Sequence, residues 1–168
     1  MERRSVEAVL ERLVESGARF LVVGGVAVVA HGFVRGTKDL DLLLDLAPDY
    51  LPHALQVLAD LGYQPTVPVP LDQFADPEAR ARWRREKDAR VFPLYSDRHP
   101  TLGIDLFLEN PLPFGQAWEH VAWFDLRPGL KVPFVGLDDL LAMKRAAGRP
   151  QDVVDVETLE ELRRLRED

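Results

Sequence analysis

Asp39 and Asp41 stand one residue apart at the head of the apolar run DLDLLL, and a third carboxylate, Asp105, sits inside a second run, GIDLFL. Side chains alternate along an extended strand, so Asp39 and Asp41 point to one side while Leu40, Leu42 and Leu44 point to the other. By the same alternation Ile104, Leu106 and Leu108 lie opposite Asp105. Two residues span roughly 6–7 Å of strand, close enough for two carboxylates to converge on one divalent ion. Placing carboxylates among leucines is unfavourable unless a cation or a set of donors meets them. Oxygen-only ligation of this kind suits Mg²⁺ or Mn²⁺, which keep positions open for substrate phosphates. Upstream, the apolar run Phe20–Val23 breaks on Gly24-Gly25 and continues as the small-residue segment Val26–Ala30. Read as a short helix, that segment turns its first free N–H groups toward whatever the glycines admit. A glycine turn followed by closely spaced acids points to chemistry on phosphates. The plainer reading of Asp39 alone is a solvent-facing strand end or a partner for a nearby arginine.

The elements that must position these groups follow from periodicity. Ser5 is read as the cap of a helix carrying Val6, Val9, Leu10, Leu13 and Val14 and ending at Gly17. Strands are expected at 19–23 and 39–46, and Pro48 opens a helix whose leucine stripe stops at Gly62. Pro65, Pro68 and Pro70 predict an extended connector rather than an interior strand. Asp76-Pro77 starts a basic helix, and 91–95, 102–108, 122–126 and 130–135 read as further strands, with a short helix around Trp118. The C-terminal helices cover about 137–166, broken at Gly148-Arg149-Pro150. The expected whole is one domain over residues 1–168, an α+β mixed sheet flanked by helices with a C-terminal helical layer.

Composition narrows the function classes. The chain has 168 residues, 46 % hydrophobic and 29 % charged, which is ordinary globular usage. It has no cysteine, so thiolate metal sites and cysteine nucleophiles are excluded. Its net charge of −7 argues against a general nucleic-acid binder, though not against a local basic patch. The N-terminus is amphipathic rather than a signal peptide and no membrane segment is evident, so a cytoplasmic location is expected.

Gly24-Gly25, thirteen intervening residues and then Asp39-Leu40-Asp41 resemble the signature of the DNA polymerase beta-like nucleotidyltransferase superfamily. The fuller pattern, with His31-Gly32, Arg35 and Thr37, and the C-terminal string LDDLLAMKRAAGRPQDVVDVETL resemble the small bacterial branch of AbiEii toxins and minimal nucleotidyltransferase antitoxins. The resemblance implies an NTP held by Gly24 and Gly25, and two metals held by Asp39, Asp41 and Asp105, the last helping to deprotonate the acceptor. It implies phosphate contacts from Arg35 and Thr37, an activity-linked lysine at Lys144, and a later acidic position at Asp152. The implied activity is transfer of NMP from NTP to a hydroxyl on an RNA 3′ end such as tRNA, a protein side chain or a small molecule, within a toxin–antitoxin system. Its implied partners are a second copy or a toxin or antitoxin protein. The competing expectation is a non-catalytic module of the same fold acting as antitoxin or scaffold.

Other residues carry weaker signals. A dinucleotide site is disfavoured because Gly-x-Gly-x-x-Gly is absent. Arg80, Trp83, Arg84 and Lys87 fall near one helical face and can grip a nucleic acid; the alternative is a solvated helix with Trp83 in the core. Arg145, Arg149, Asp152 and Asp155 read as an ion-pair network joining the last two helices or as substrate contacts. His31 is expected to end the short helix, His53, His99 and His120 to lie on the surface, and Trp118, Trp123, Phe124 and Phe134 to be core.

Overall fold

The computed structural model describes residues 1–168. Helix α1 (Arg3–Glu15) forms where Val6, Val9, Leu10 and Leu13 recur at helical spacing, and all four are buried. Ser5 does not cap it. The helix starts three residues earlier, with Glu2 at the cap position, and Ser5 lies buried in the first turn with its Oγ 3.0 Å from His99 Nδ1. Gly17, at φ +74, supplies the left-handed turn that releases the chain.

The chain then runs β1 (Phe20–Val23), α2 (Gly24–Ala30), β2 (Asp39–Leu44), α3 (Leu51–Asp60), β3 (Gln64–Pro65), a 3-10 turn (Leu71–Ala75) and α4 (Pro77–Lys87). It continues through β4 (Val91–Tyr95), β5 (Gly103–Phe107), α5 (Phe114–Glu119), β6 (Ala122–Arg127), β7 (Leu130–Phe134), α6 (Leu137–Ala147) and α7 (Pro150–Glu167). The seven strands form one mixed sheet in the order β3-β4-β5-β2-β1-β7-β6. β1 pairs antiparallel with β2 and parallel with β7, and β2 pairs parallel with β5. This is the expected α+β arrangement, a mixed sheet flanked by helices with α6 and α7 as its C-terminal layer.

β1 lies inside the sheet and all four of its residues are buried, which is why it reads as a continuous apolar run. The proline-rich connector holds as expected, since only Gln64-Pro65 pair, at the sheet edge against β4. The 3-10 turn after it was not expected; it places Phe74 in the core, 5.5 Å from the Phe92 ring. Asp76 caps α4 by accepting from the Glu78 amide at 2.9 Å, with Pro77 in the first turn. Trp123 is not core. It lies on the edge strand β6 and is 48 % exposed, while Phe134 is buried and Trp118 and Phe124 are half-buried. His99 is half-buried and stacks on Tyr63 rather than lying free on the surface. His31 does end α2, buried, with Nε2 2.8 Å from the Val135 carbonyl.

Candidate active site

β2 and β5 run side by side in parallel, with Asp41 opposite Asp105 and Asp39 opposite Gly103. Leu40, Leu42, Ile104 and Leu106 go to the core, and the three carboxylates go to the other face, where they line one cleft of about 1010 Å³. The cleft floor is built on missing side chains. Gly24 turns at φ +66, and a Cβ there would collide with the Asp41 carboxylate. A Cβ on Gly103 would come within 2.5 Å of Asp39 Oδ1, and one on Gly25 within 2.5 Å of Thr37 Oγ1. The glycine pair therefore does two things: it opens α2 directly from β1 and it makes room for Asp41. Gly24→Ala is expected to destabilise the protein by about 1–3 kcal/mol through backbone strain and the forced move of Asp41. Urea unfolding checks this; an unchanged midpoint would mean that the contact is slack.

No ion pair or arginine ties down Asp39, Asp41 or Asp105. Asp39 is exposed, and Asp41 and Asp105 are half-buried. Burial, then the facing Asp105, then Asp39 push Asp41 up to about 7, against the pull of Lys144 and Arg149. Asp105 is also raised, by burial first and Asp39 second, while its hydrogen bond with Asp41 acts the other way. No three acidic or histidine side chains are gathered tightly enough to hold a metal in this arrangement. The donor set still fits one chemically: oxygen-only carboxylates, held together against their own repulsion, in a cleft open to solvent.

Cations surround the acids without touching them. Lys38, Arg84, Arg90 and Arg149 line the same cleft. Lys144 is buried and lies between Asp152, at 2.9 Å, and Asp155, at 3.0 Å. Arg35 grips Asp155 with two hydrogen bonds of 2.8 Å, and Arg149 reaches Asp152 at 2.8 Å. Burial would raise Asp152 and Asp155, but hydrogen bonds from Arg149 and Lys144 to the first, and from Arg35, Gln151 and Lys144 to the second, hold both below the usual carboxylate range. The structure thus brings Gly24, Gly25, Arg35, Thr37, Asp39, Asp41, Asp105 and Lys144 to one cleft, and shows Arg149, Asp152 and Asp155 as an ion-pair network. Arg145 stands outside that network and pairs with Glu160.

Arg80 is not a nucleic-acid contact: it is buried, with Nη1 donating to the Phe74 carbonyl at 2.6 Å. Trp83 stacks on Phe92 at 4.9 Å, and Arg84 alone of the basic face reaches the cleft, paired with Glu109 at 2.8 Å. Sequence reasoning missed Lys38, Arg90 and Gly103. Lys38 adjoins the acidic strand and was within reach of inspection; Gly103 matters only through its register with Asp39.

This architecture is the nucleotidyltransferase fold. The chain is similar to the lincosamide antibiotic adenylyltransferase LnuA, solved with lincomycin, at TM-score 0.61 and 16 % identity, over 95 % of this chain and 97 % of that one. It is also similar to ANT(2″)-Ia, solved with adenylyl-2″-tobramycin, at TM-score 0.54 and 12 % identity, over 99 % and 98 %. A Thermotoga maritima protein assigned to the nucleotidyltransferases matches at TM-score 0.54 and 14 % identity, over 98 % and 92 %. No protein-family model and no curated protein sequence matches the chain. No helix is long and apolar enough to cross a membrane.

Proposed function

We propose that the protein is a nucleotidyltransferase that moves an NMP from an NTP to a hydroxyl acceptor and releases pyrophosphate. The observation that carries this reading is the pair Asp41–Asp105, opposed in register on the floor of a cleft and left without a cationic partner. A fold alone has no need of two carboxylates held so at a cost. In the reaction the acceptor oxygen bonds to the α-phosphorus as the bond to the bridging oxygen breaks, and pyrophosphate leaves. Asp105, whose carboxyl is raised, takes the acceptor proton. Gly24 and Gly25 let the triphosphate approach the backbone, and Thr37 and Lys38 flank it from the loop before β2. Arg149, at the start of α7, and Lys144, on α6, line the same cleft. Asp39, Asp41 and Asp105 would hold Mg²⁺ or Mn²⁺, which when bound supplies Lewis acidity to the acceptor oxygen and the triphosphate.

The acceptor class is tested directly. Each α-labelled NTP is incubated with the protein and Mn²⁺ alongside tRNA, cell-extract protein, a lincosamide or an aminoglycoside. Label moving to one of these supports the reading and names the acceptor; the neighbours solved with antibiotics favour a small-molecule hydroxyl, and the sequence resemblance favours RNA or a toxin–antitoxin partner. No transfer in any arm, with unlabelled pyrophosphate absent as well, returns the protein to the alternative of a non-catalytic module. Independently, Mn²⁺ is expected to raise the melting temperature of the wild type by several degrees and that of Asp41→Ala by much less. Equal shifts would remove Asp41 from the metal site.

A further inference from the structure

Residues 31–38, between α2 and β2, carry Thr37 and Lys38 into the cleft without regular secondary structure of their own. No residue from Val34 to Lys38 makes a backbone–backbone hydrogen bond, and Val34 is 84 % exposed. Side chains must therefore hold this loop, and they come from α7. Asp155 accepts from Arg35 Nε and Nη2, each at 2.8 Å, and the same guanidinium donates through Nη1 to the Gly36 carbonyl at 2.8 Å. Three turns further along α7, Arg166 Nη2 donates to the His31 carbonyl at 2.9 Å. The loop is thus fastened to one helix at its start and at its middle.

The Asp155 fastening is the stronger. Its side chain is wholly buried and also accepts from Lys144 at 3.0 Å and Gln151 at 2.9 Å. A two-pronged arginine–carboxylate pair in that setting fixes geometry as well as charge. Three of the five Arg35 N–H groups are already used, so the guanidinium is committed first to Asp155 and the Gly36 carbonyl. A Cβ on Gly25 would approach Thr37 Oγ1 and Arg35 Nη1, so the loop and the glycine turn pack directly on each other.

We infer that Asp155 is a positioning residue for the nucleotide: through the Arg35 fork it holds Gly36-Thr37-Lys38 against the glycine turn, so that the triphosphate meets an ordered loop. This assigns Arg35 a role through Asp155 in place of the direct phosphate contact, and it rests on the nucleotidyltransferase reading above.

The test measures nucleotide binding and loop protection, neither of which needs the acceptor. The four ribonucleoside triphosphates are titrated with Mn²⁺ into the wild type, and the tightest binder is carried forward. If none binds, the nucleotidyltransferase reading fails and this inference with it. Asp155→Asn keeps the shape and loses the charge, whereas Arg35→Lys keeps the charge and loses the fork. Both are expected to weaken binding about tenfold, because the ordered loop becomes a minority state that the nucleotide must select. Tryptic cleavage within 34–38 should quicken in both variants and slow again on adding nucleotide. Were Arg35 a phosphate ligand, Asp155→Asn would free it and binding would hold or tighten, and that result overturns the inference. A lowered melting temperature with unchanged affinity overturns it too. Should Asp155→Asn fail to fold, Arg35→Lys, at a half-buried loop position, carries the test through the nucleotide-free loop: faster cleavage at 34–38 supports the inference and unchanged cleavage overturns it.

Discussion

Asp41→Asn is expected to lower nucleotidyl transfer by roughly a thousandfold or more and, at the same time, to raise the melting temperature of the metal-free protein. The two effects have one cause. Asp41 is pushed from 3.8 to about 7 by burial and by Asp105 and Asp39, so its ionised form is disfavoured in the folded state. A carboxyl raised on folding contributes stability that is present below its unfolded value and lost as pH rises through its folded value. The wild type should therefore lose stability between about pH 4 and pH 7, and the asparagine variant, which cannot ionise, should not. Its advantage should be larger at pH 8 than at pH 5. Thermal melts at the two pH values with chelator present, beside a transfer assay, measure all of this. An inactive variant that melts below the wild type at pH 8 would show Asp41 to be structural, and the metal reading would go with it.

Lys144→Met should be the most destabilising single change among the cleft residues, by about 3 kcal/mol. The ammonium group is buried between Asp152 and Asp155, at 2.9 and 3.0 Å, and those carboxylates are 1 % and 0 % exposed. Removing it leaves Arg149 on one and Arg35 on the other, with no cation between. The sign of the pH dependence is opposite to that of Asp41. Both aspartates are held below the usual carboxylate range, so their contribution is present above about pH 4 and is lost as pH falls through their folded values. The deficit of Lys144→Met should accordingly be large at pH 7.5 and should shrink under acid. Urea unfolding at both pH values decides it, and a deficit that does not change with pH would mean that lost packing, not lost charge, is responsible. Any fall in activity of this variant has to be read where it remains folded, since the lysine holds α6 to α7 before it can serve a nucleotide.

Local rules carried much of this in the chain itself. The alternation in DLDLLL and GIDLFL requires acids on one face and leucines on the other, because a strand has period two whatever surrounds it. Gly24-Gly25 after an apolar run required a turn that no other residue makes cheaply, and the stripes at Val6–Leu13 and Leu51–Leu58 required helices. Helix starts were less legible: Ser5 has the chemistry of a cap, yet Glu2 takes the place and the Ser5 hydroxyl meets His99, 94 positions away, instead. Trp123 shows the same limit, because an aromatic reads as core until the strand carrying it proves to be the edge.

Tertiary structure alone decided which groups meet. That Asp41 faces Asp105 rather than a neighbour two residues away is a matter of strand register, set by many leucine contacts summed across β2 and β5. That Arg35 answers to Asp155, 120 positions later, depends on where α7 comes to lie. The identities of the reacting acids are local information, written in their alternation with leucine. Their distances, their charge and the loop that faces them are pairings between distant segments, and no spacing along a chain encodes which distant segment will arrive.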